Sequence, residues 1–366
     1  MSNKKFSWTK NIKREMVSTI EVSKFKEFDE YSMRYYDGMY TIRNINEKTS
    51  DDLFYFSPHR NMISGYFEAD SEKTLNLING KKKLVRSICN SFYHSIMDDI
   101  SEIICAMEMY PDYELLLDVS HIEYGIHGKE GYWDVFDFFT EALEKKNIRY
   151  RLVSLQDYDV IYMDNFRIVE FVYQSGQKAE LVHNFFKEFV TNKDIKPYKN
   201  VFVSRAKREH GGLLGEIKEA ETLSVNKDVR LDDHDGAEKY FADLGYEIVH
   251  SEFFKTFQEQ LDYFYSVKTI ASVSGSGLTN AVFMQPGITT MIEIVTPLVV
   301  SVAPPNKPKD ITNPFFTQEI HNFYKMLAFY MDQTYLAIQN SERKLQHIKD
   351  VIESDKKVKD FVDKNE

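Results

Sequence analysis

One stretch, Ile270 to Glu293, constrains the fold more than any other: IASVSGSGLTNAVFMQPGITTMIE. It opens with an apolar run suited to a buried strand. Small residues and two glycines follow, Ser274-Gly275-Ser276-Gly277. Leu278 to Met284 can then start a helix, with Ser276 or Thr279 as its N-cap. Pro286-Gly287 stops that helix, and a second strand, Thr289 to Val295, carries Glu293. Strand, glycine turn, helix, strand is a βαβ unit, which belongs to parallel-sheet folds. Glycines let the backbone approach a bulky anion, and the free N–H groups and positive end of a helix favour phosphate. A carboxylate at the end of the following strand can accept hydrogen bonds from a ribose. A glycine motif alone is a weak signal, and an ordinary ligand-free turn would read the same way.

The rest of the chain repeats the pattern. Runs at Glu114–Asp118, Arg149–Val153, Tyr158–Tyr162 and Phe166–Tyr173 read as strands, with helices over Asn90–Met109 and Tyr132–Lys146 between or before them. Tyr31 to Tyr40 reads as edge strand. Residues 174–199 read as a junction holding a helix, Ala179–Phe189, and a polar break, Asn192–Pro197. Beyond it come a strand, Asn200–Ser204, a helix, Gly236–Leu244, a strand, Tyr246–Val249, and a helix, Phe254–Val267. Lys207, Arg208 and His210-Gly211-Gly212 lie in a loop too long for a simple βα turn. Ligands of such sheets sit beyond the C-terminal ends of the strands. Ser204-Arg205, Ser274 to Gly277 and Glu293 all end strands, and so belong to that edge. The expected layout is an α/β domain over residues 1–175, a Rossmann-like domain over 176–310, and a helical segment over 311–366. That last segment is expected to hold a long helix from about Pro314 to Ile352 or beyond, whole or broken, packed back on one or both domains.

Composition sets outer limits. A chain of 366 residues has room for about two domains. With 43% hydrophobic and 14% aromatic residues it supplies a packed core. A net charge of -11 argues against a general nucleic-acid coat. Cys89 and Cys105 lie in one predicted helical region, out of disulfide reach along a continuous helix and with no zinc spacing. The basic N-terminus, Met1 to Arg14, has no signal-peptide core, and no run reaches the roughly 18 apolar residues of a membrane span. A reducing, cytoplasmic setting is the expectation.

Several motifs together resemble glycosyltransferase family 61. Gly275-Ser-Gly-Leu-Thr-Asn280, then Phe283-Met284, Pro286-Gly287 and Ile292-Glu293, resemble its H-G-A-G-L-T-N signature, F-M-x-P and closing Glu. Ser274 stands where the family has His, and Ser276 where it has Ala. Val203-Ser204-Arg205 resembles its S-R strand end, and Arg230-Leu231-Asp232-Asp233 a degenerate R-x-N-E. Ser251-Glu252, followed by Phe257-Gln258-Glu259-Gln260, resembles its S-F-x-E-Q helix. Asn90 to Asp98 resembles its Y-H-W-x-x-(D/E) helix, with Ser95 in place of Trp. Order and rough spacing agree from residue 90 to 295.

The resemblance implies a GT-B architecture, two Rossmann-like domains facing a cleft. It also implies inversion at the anomeric carbon, independence from a divalent metal, and no cofactor besides a nucleotide-sugar donor; a UDP-sugar is the expected donor. Arg205 is the candidate cation for the departing diphosphate. Ser204, Arg205, Ser274, Gly275, Ser276, Gly277, Leu278, Thr279, Asn280 and Glu293 are the candidate donor-binding residues, with Glu293 holding the ribose or, alternatively, satisfying a structural helix terminus. His94 or Asp98 is the candidate base. His94, Asp98 and Glu102 are spaced i, i+4, i+8 along a helix, with Glu102 read as part of a solvated polar face. A surface-glycan or lipid-linked hydroxyl is the expected acceptor. Three alternatives remain at this stage. One is a transferase acting on hydroxymethylated bases in DNA, for which the basic run Lys81, Lys82, Lys83 and Arg86 and the basic first 14 residues are the handle. Another is a non-catalytic nucleotide-sugar binder, which the replaced His and Trp allow. The third is a nucleotide-sugar epimerase or an unrelated Rossmann-like enzyme. Asp232-Asp233-His234-Asp235 resembles an acidic metal cluster, but Arg230 beside it favours no metal.

Overall fold

The structure is a computed structural model. It describes residues 33–36, 40–43, 74–77, 79–88, 92–119, 133–154, 160–163, 166–169, 178–204, 231–251, 254–296, 323–340, 342–354 and 356–362. The chain divides into two compact units.

The first unit takes residues 1–89, 98–126 and 143–173. Its larger sheet has five strands: β1 (Met33–Tyr36), β4 (Lys83–Ser87), β5 (Glu114–Asp118), β6 (Tyr150–Val153) and β8 (Phe166–Val169), in the order β1-β8-β4-β5-β6. All neighbours are parallel except β1, which runs antiparallel on the β8 edge. A second sheet has the order β2-β7-β3, from β2 (Tyr40–Arg43), β7 (Val160–Met163) and β3 (Thr74–Leu77). The tyrosine-rich pieces are thus edge strands. The interior strand β5, Leu115-Leu116-Leu117, is buried on both faces, as a parallel strand between helices requires.

The second unit takes residues 90–97, 127–142 and 174–366. Its sheet is wholly parallel: β9 (Lys199–Val203), β10 (Glu247–Val249), β11 (Val267–Val273), β12 (Thr290–Val295) and β13 (Thr334–Gln339), in the order β10-β9-β11-β12-β13. Winding runs from β9 to β10 on one side, then returns to β11, β12 and β13 on the other. The topological switch point therefore lies between β9 and β11.

Helices cover both faces. Phe202, Ala271, Ile292 and Ile338 present one face to α4 (His234–Asp243) and α6 (Leu345–Ser354), through Ala237, Phe241, Leu345, Ile348 and Ile352. Phe202 and Phe241 stack there with ring centres 4.2 Å apart. The other face meets a 310 helix, Ser276–Phe283, which packs with α3 (Ala179–Lys187) and α5 (Phe257–Tyr265). Phe138, Phe186, Phe257 and Phe283 form its aromatic seam.

Two expectations are corrected. The C-terminal helical segment contains a strand that was not expected: residues 323–330 are helical, β13 follows, and α6 and α7 (Lys356–Val362) come after it. Thr334-Tyr-Leu-Ala-Ile-Gln339 adds a parallel edge strand, because pairing with β12 satisfies its backbone and buries Ile338. The helix over residues 92–109 is not uniform either. A π segment, Ser95–Ile100, separates Phe92–His94 from α1 (Ser101–Met109). Hydrogen bonds in a π segment run from i to i+5, which breaks the i, i+4 register. Glu102, read as solvated, is 1% exposed, and Asp98 is 4% exposed. The connector holding Pro297 and Pro304 lies outside the described residues.

Candidate functional site

The switch point brings together the ends of β9, β10 and β11. Ser204 follows β9, and its N–H donates to Val249 O at 2.8 Å, at the end of β10. Ser274 follows β11, and its N–H donates to Ile294 O at 3.0 Å. Gly275 then takes φ 156 and ψ 177, a region open essentially only to glycine. Neither Ser276 nor Thr279 caps the helix: Gly275 holds the cap position, with no side-chain hydrogen bond. The first helical bond runs from Leu278 N–H to Gly275 O, 2.9 Å. The N–H groups of Ser276 and Gly277 precede it and are the helix's leading donors. These two residues are also the half-exposed ones in a turn that is otherwise buried from Ile270 to Met284.

Gly277 is required by packing as well as by any ligand. A Cβ there would stand 2.9 Å from Val203 Cγ1, so the turn rests directly on the end of β9. Its closeness to protein, not to an anion, is the first reason for glycine.

Most of the other motif residues hold the turn from beneath. Asn280 is fully buried. Its amide donates to Gly277 O at 2.9 Å and to Ser251 Oγ at 3.3 Å, while its oxygen accepts from Gln260 Nε2 at 2.6 Å. Gln260 is placed by α5, which Thr256 caps through Glu259 N–H at 3.2 Å. Leu278 and Thr279 are fully buried. Glu293 is 0% exposed: one carboxylate oxygen accepts from Ser274 Oγ at 2.6 Å and the other from the Tyr335 hydroxyl. Burial, and the Glu293 carboxylate beside it, push the Tyr335 phenol far above its ordinary range, which keeps it a donor. Glu293 thus braces the turn and is not accessible to a ribose. That replaces the role expected from its place at a strand end.

Helix α3 supports the far end of the 310 helix. His183 is buried, with Nδ1 3.0 Å from Val282 O and its ring stacked near Tyr265. Burial outweighs the favourable backbone hydrogen bond and lowers its pKa to about 4. The neutral ring therefore donates from Nδ1 to Val282.

The rim is different. Glu238, on α4, accepts from Ser204 Oγ at 2.6 Å and lies 3.2 Å from His250 Nε2, both through Oε1. Glu238 and His250 were not expected from sequence. His250 directly follows β10, so the strand-end rule that selected Ser204 selects it too; Glu238 carried no signal.

His94 is half-buried, and its helical turn packs against the 310 helix within the second unit. Asp98 belongs to the first unit. Arg205, Arg230, Glu252, Cys89 and the Lys207 to Gly212 loop lie outside the described residues; Cys105 is a buried free thiol. Asp232 and Asp233 are used as caps: Asp232 accepts from Leu345 N–H at 2.9 Å, and Asp233 from Gly236 N–H at 2.7 Å. Among the described residues no three His, Cys, Asp or Glu side chains are grouped to hold a metal ion.

The basic run is split between the interior and the surface, where Lys81 and Lys82 are exposed. Lys83 and Arg86 are buried, and Arg86 pairs with Asp99 at 2.7 Å. Lys82 pairs with Asp112 at 2.8 Å, and Lys81 lies 3.9 Å from Glu114. The first 14 residues lie outside the described set. No described helix is long and apolar enough to cross a membrane.

In doubly wound α/β sheets ligands sit beyond the C-terminal strand ends at the switch point, which is where this glycine turn lies. The glycosyltransferase 61 family model matches residues 92–292, more than half of the chain, and the chain belongs to that family. It is accordingly a glycosyltransferase, with a sugar donor and an acceptor as its substrates. No curated protein is found to match the chain.

Proposed function

We propose that the protein is an inverting glycosyltransferase of GT-B type that moves a sugar from a nucleotide-sugar, a UDP-sugar first, to a hydroxyl of a surface-glycan or lipid-linked acceptor. The observation that carries this is the β9/β11 switch point. There the half-exposed N–H groups of Ser276 and Gly277 stand at the C-terminal edge of a parallel sheet. A diphosphate fits that edge because its charge meets aligned backbone donors. As the nucleoside diphosphate departs, charge grows on it, and Arg205, one residue beyond Ser204, neutralises that charge. The acceptor proton goes to His94 or Asp98. No metal is needed in this scheme, since the cation and the N–H groups do its work.

Incubation with a panel of nucleotide-sugars tests the reading: slow release of free nucleoside diphosphate is expected for the true donor, together with a raised Tm. A binder would release none, and an epimerase would return an isomer. Arg205→Ala is expected to lower kcat/KM by ~10²-fold or more. Either Asp98→Asn or His94→Ala is expected to cost orders of magnitude in transfer with donor binding little changed. Transfer that survives both places the base elsewhere.

A further inference from the structure

We propose that Glu238 is the carboxylate that reads the ribose of the donor, and that Ser204 and His250 are the residues that aim it. This rests on the nucleotide-sugar reading of the switch-point edge. Glu293 cannot do the work, because it is wholly buried with both oxygens taken by Ser274 and Tyr335. Glu238 is its opposite. Oε1 accepts from Ser204 Oγ at 2.6 Å and lies 3.2 Å from His250 Nε2, while Oε2 has no hydrogen-bond partner among the described residues. The side chain keeps 20% of its surface accessible, against 8% for His250.

The position is right for a nucleoside. Ser204 ends β9, one of the two strands that flank the switch point, and His250 ends β10, the next strand out. A diphosphate on Ser276 and Gly277, beyond β11, leaves the β9 and β10 ends for the attached ribose. Sugar hydroxyls donate well to a carboxylate, and a charged acceptor strengthens each bond. His250 Nε2 lies 3.2 Å from the same oxygen that Ser204 holds. The Ser204 hydrogen bond, with His250 set against the same oxygen, holds the side chain and leaves the other oxygen for the ligand. Glu238 is therefore a specificity residue and His250 a positioning residue.

The test compares ribose with deoxyribose. Binding of UDP, GDP, CDP and ADP, and of their 2′-deoxy counterparts, is measured by calorimetry on the whole protein. The unmodified protein is expected to bind the best nucleotide roughly tenfold to a hundredfold more tightly than its deoxy form, the scale of one hydrogen bond to a charged group. Glu238→Gln is expected to shrink that ratio several-fold while deoxy binding holds. His250→Gln, which keeps a donor, is expected to shrink the ratio less than His250→Ala. An unchanged ratio in a folded Glu238→Gln protein overturns the assignment and leaves the donor site standing. A protein that binds none of the ribonucleotides overturns the donor reading, and this assignment with it.

Discussion

The base of the glycine turn and its rim are built from the same residue types and do different jobs. At the base, Ser274, Glu293 and Tyr335 form a closed set in which every carboxylate oxygen has a hydroxyl donor and none meets solvent. At the rim, Ser204, Glu238 and His250 share one carboxylate oxygen and leave the side chain partly open. The serine–glutamate distance is 2.6 Å in both. What separates them is access. A closed carboxylate fixes the backbone that presents Ser276 and Gly277; an open one is available to a ligand. Glycine motifs in such folds mix the two kinds, and burial is what sorts them.

The sharpest way to break this comparison is Glu293→Ala. It removes the charged acceptor of the Ser274 and Tyr335 hydroxyls, leaving Ser274 Oγ the longer bond to Ile294 O at 3.2 Å; a hydrogen bond to a charged group is worth about 1.5–3 kcal/mol. A loss of about 3–4 kcal/mol is expected in urea unfolding. A protein of normal stability that has instead lost donor affinity would show Glu293 to be a ligand residue, and the division between base and rim would fall.

Acid offers a second test of the base, through His183. Its folded pKa of about 4 lies below the ordinary 6.5, so the unfolded chain binds the proton first. Stability is then full above about pH 6.5 and falls as pH drops toward 4. From pH 7 to pH 5 the expected loss is about 2 kcal/mol from this group. The His183→Phe variant should lose that part of the slope. A slope the same in both proteins would mean that His183 does not hold Val282 as described.

Much of the fold was legible in the sequence because it follows from patterning. The buried runs Glu114–Asp118 and Thr290–Val295 and the amphipathic Ala179–Lys187 appear where alternation and helical spacing put them. The C-terminal strand β13 was not legible. Its residues, Thr334 to Gln339, sit among helical segments, and only the unpaired edge of β12 turns them into a strand. The site was half legible. Position at a strand end found Ser204 and the glycine turn. It misjudged Glu293, because distance along a strand says nothing of what lies above it, and Tyr335 arrives from 42 residues away. It missed Glu238 because a glutamate in an amphipathic helix looks like any solvated one until Ser204 and His250 are placed beside it.

Gly277→Ala probes the contact between turn and sheet. The new Cβ would meet Val203 Cγ1 at 2.9 Å, and a β-branched side chain has few rotamers with which to yield. Overpacking of this kind costs about 1–2 kcal/mol. Trimming the neighbour provides the control. If sterics are the cause, the Val203→Ala and Gly277→Ala changes together should cost less than their sum, the sign expected of two groups competing for one space. Strict additivity would point away from Val203 and toward the backbone of the turn.

The smallest expected effect is the most telling about the rim. Glu238→Gln keeps an oxygen that can accept from Ser204 Oγ and from His250 Nε2, and it buries no new group. Its side chain is a fifth exposed, so removing the charge relieves little and strands nothing. A change of about 0.5 kcal/mol or less in unfolding free energy is the expectation for such a site. The contrast with Glu293→Ala is then several-fold for two glutamates that each receive a serine hydroxyl at the same distance. Should Glu238→Gln destabilise as much as Glu293→Ala, the rim would be part of the scaffold, and the open carboxylate would lose its claim on a ligand. Should it leave stability alone while altering nucleotide affinity, access alone would be confirmed as what divides the two.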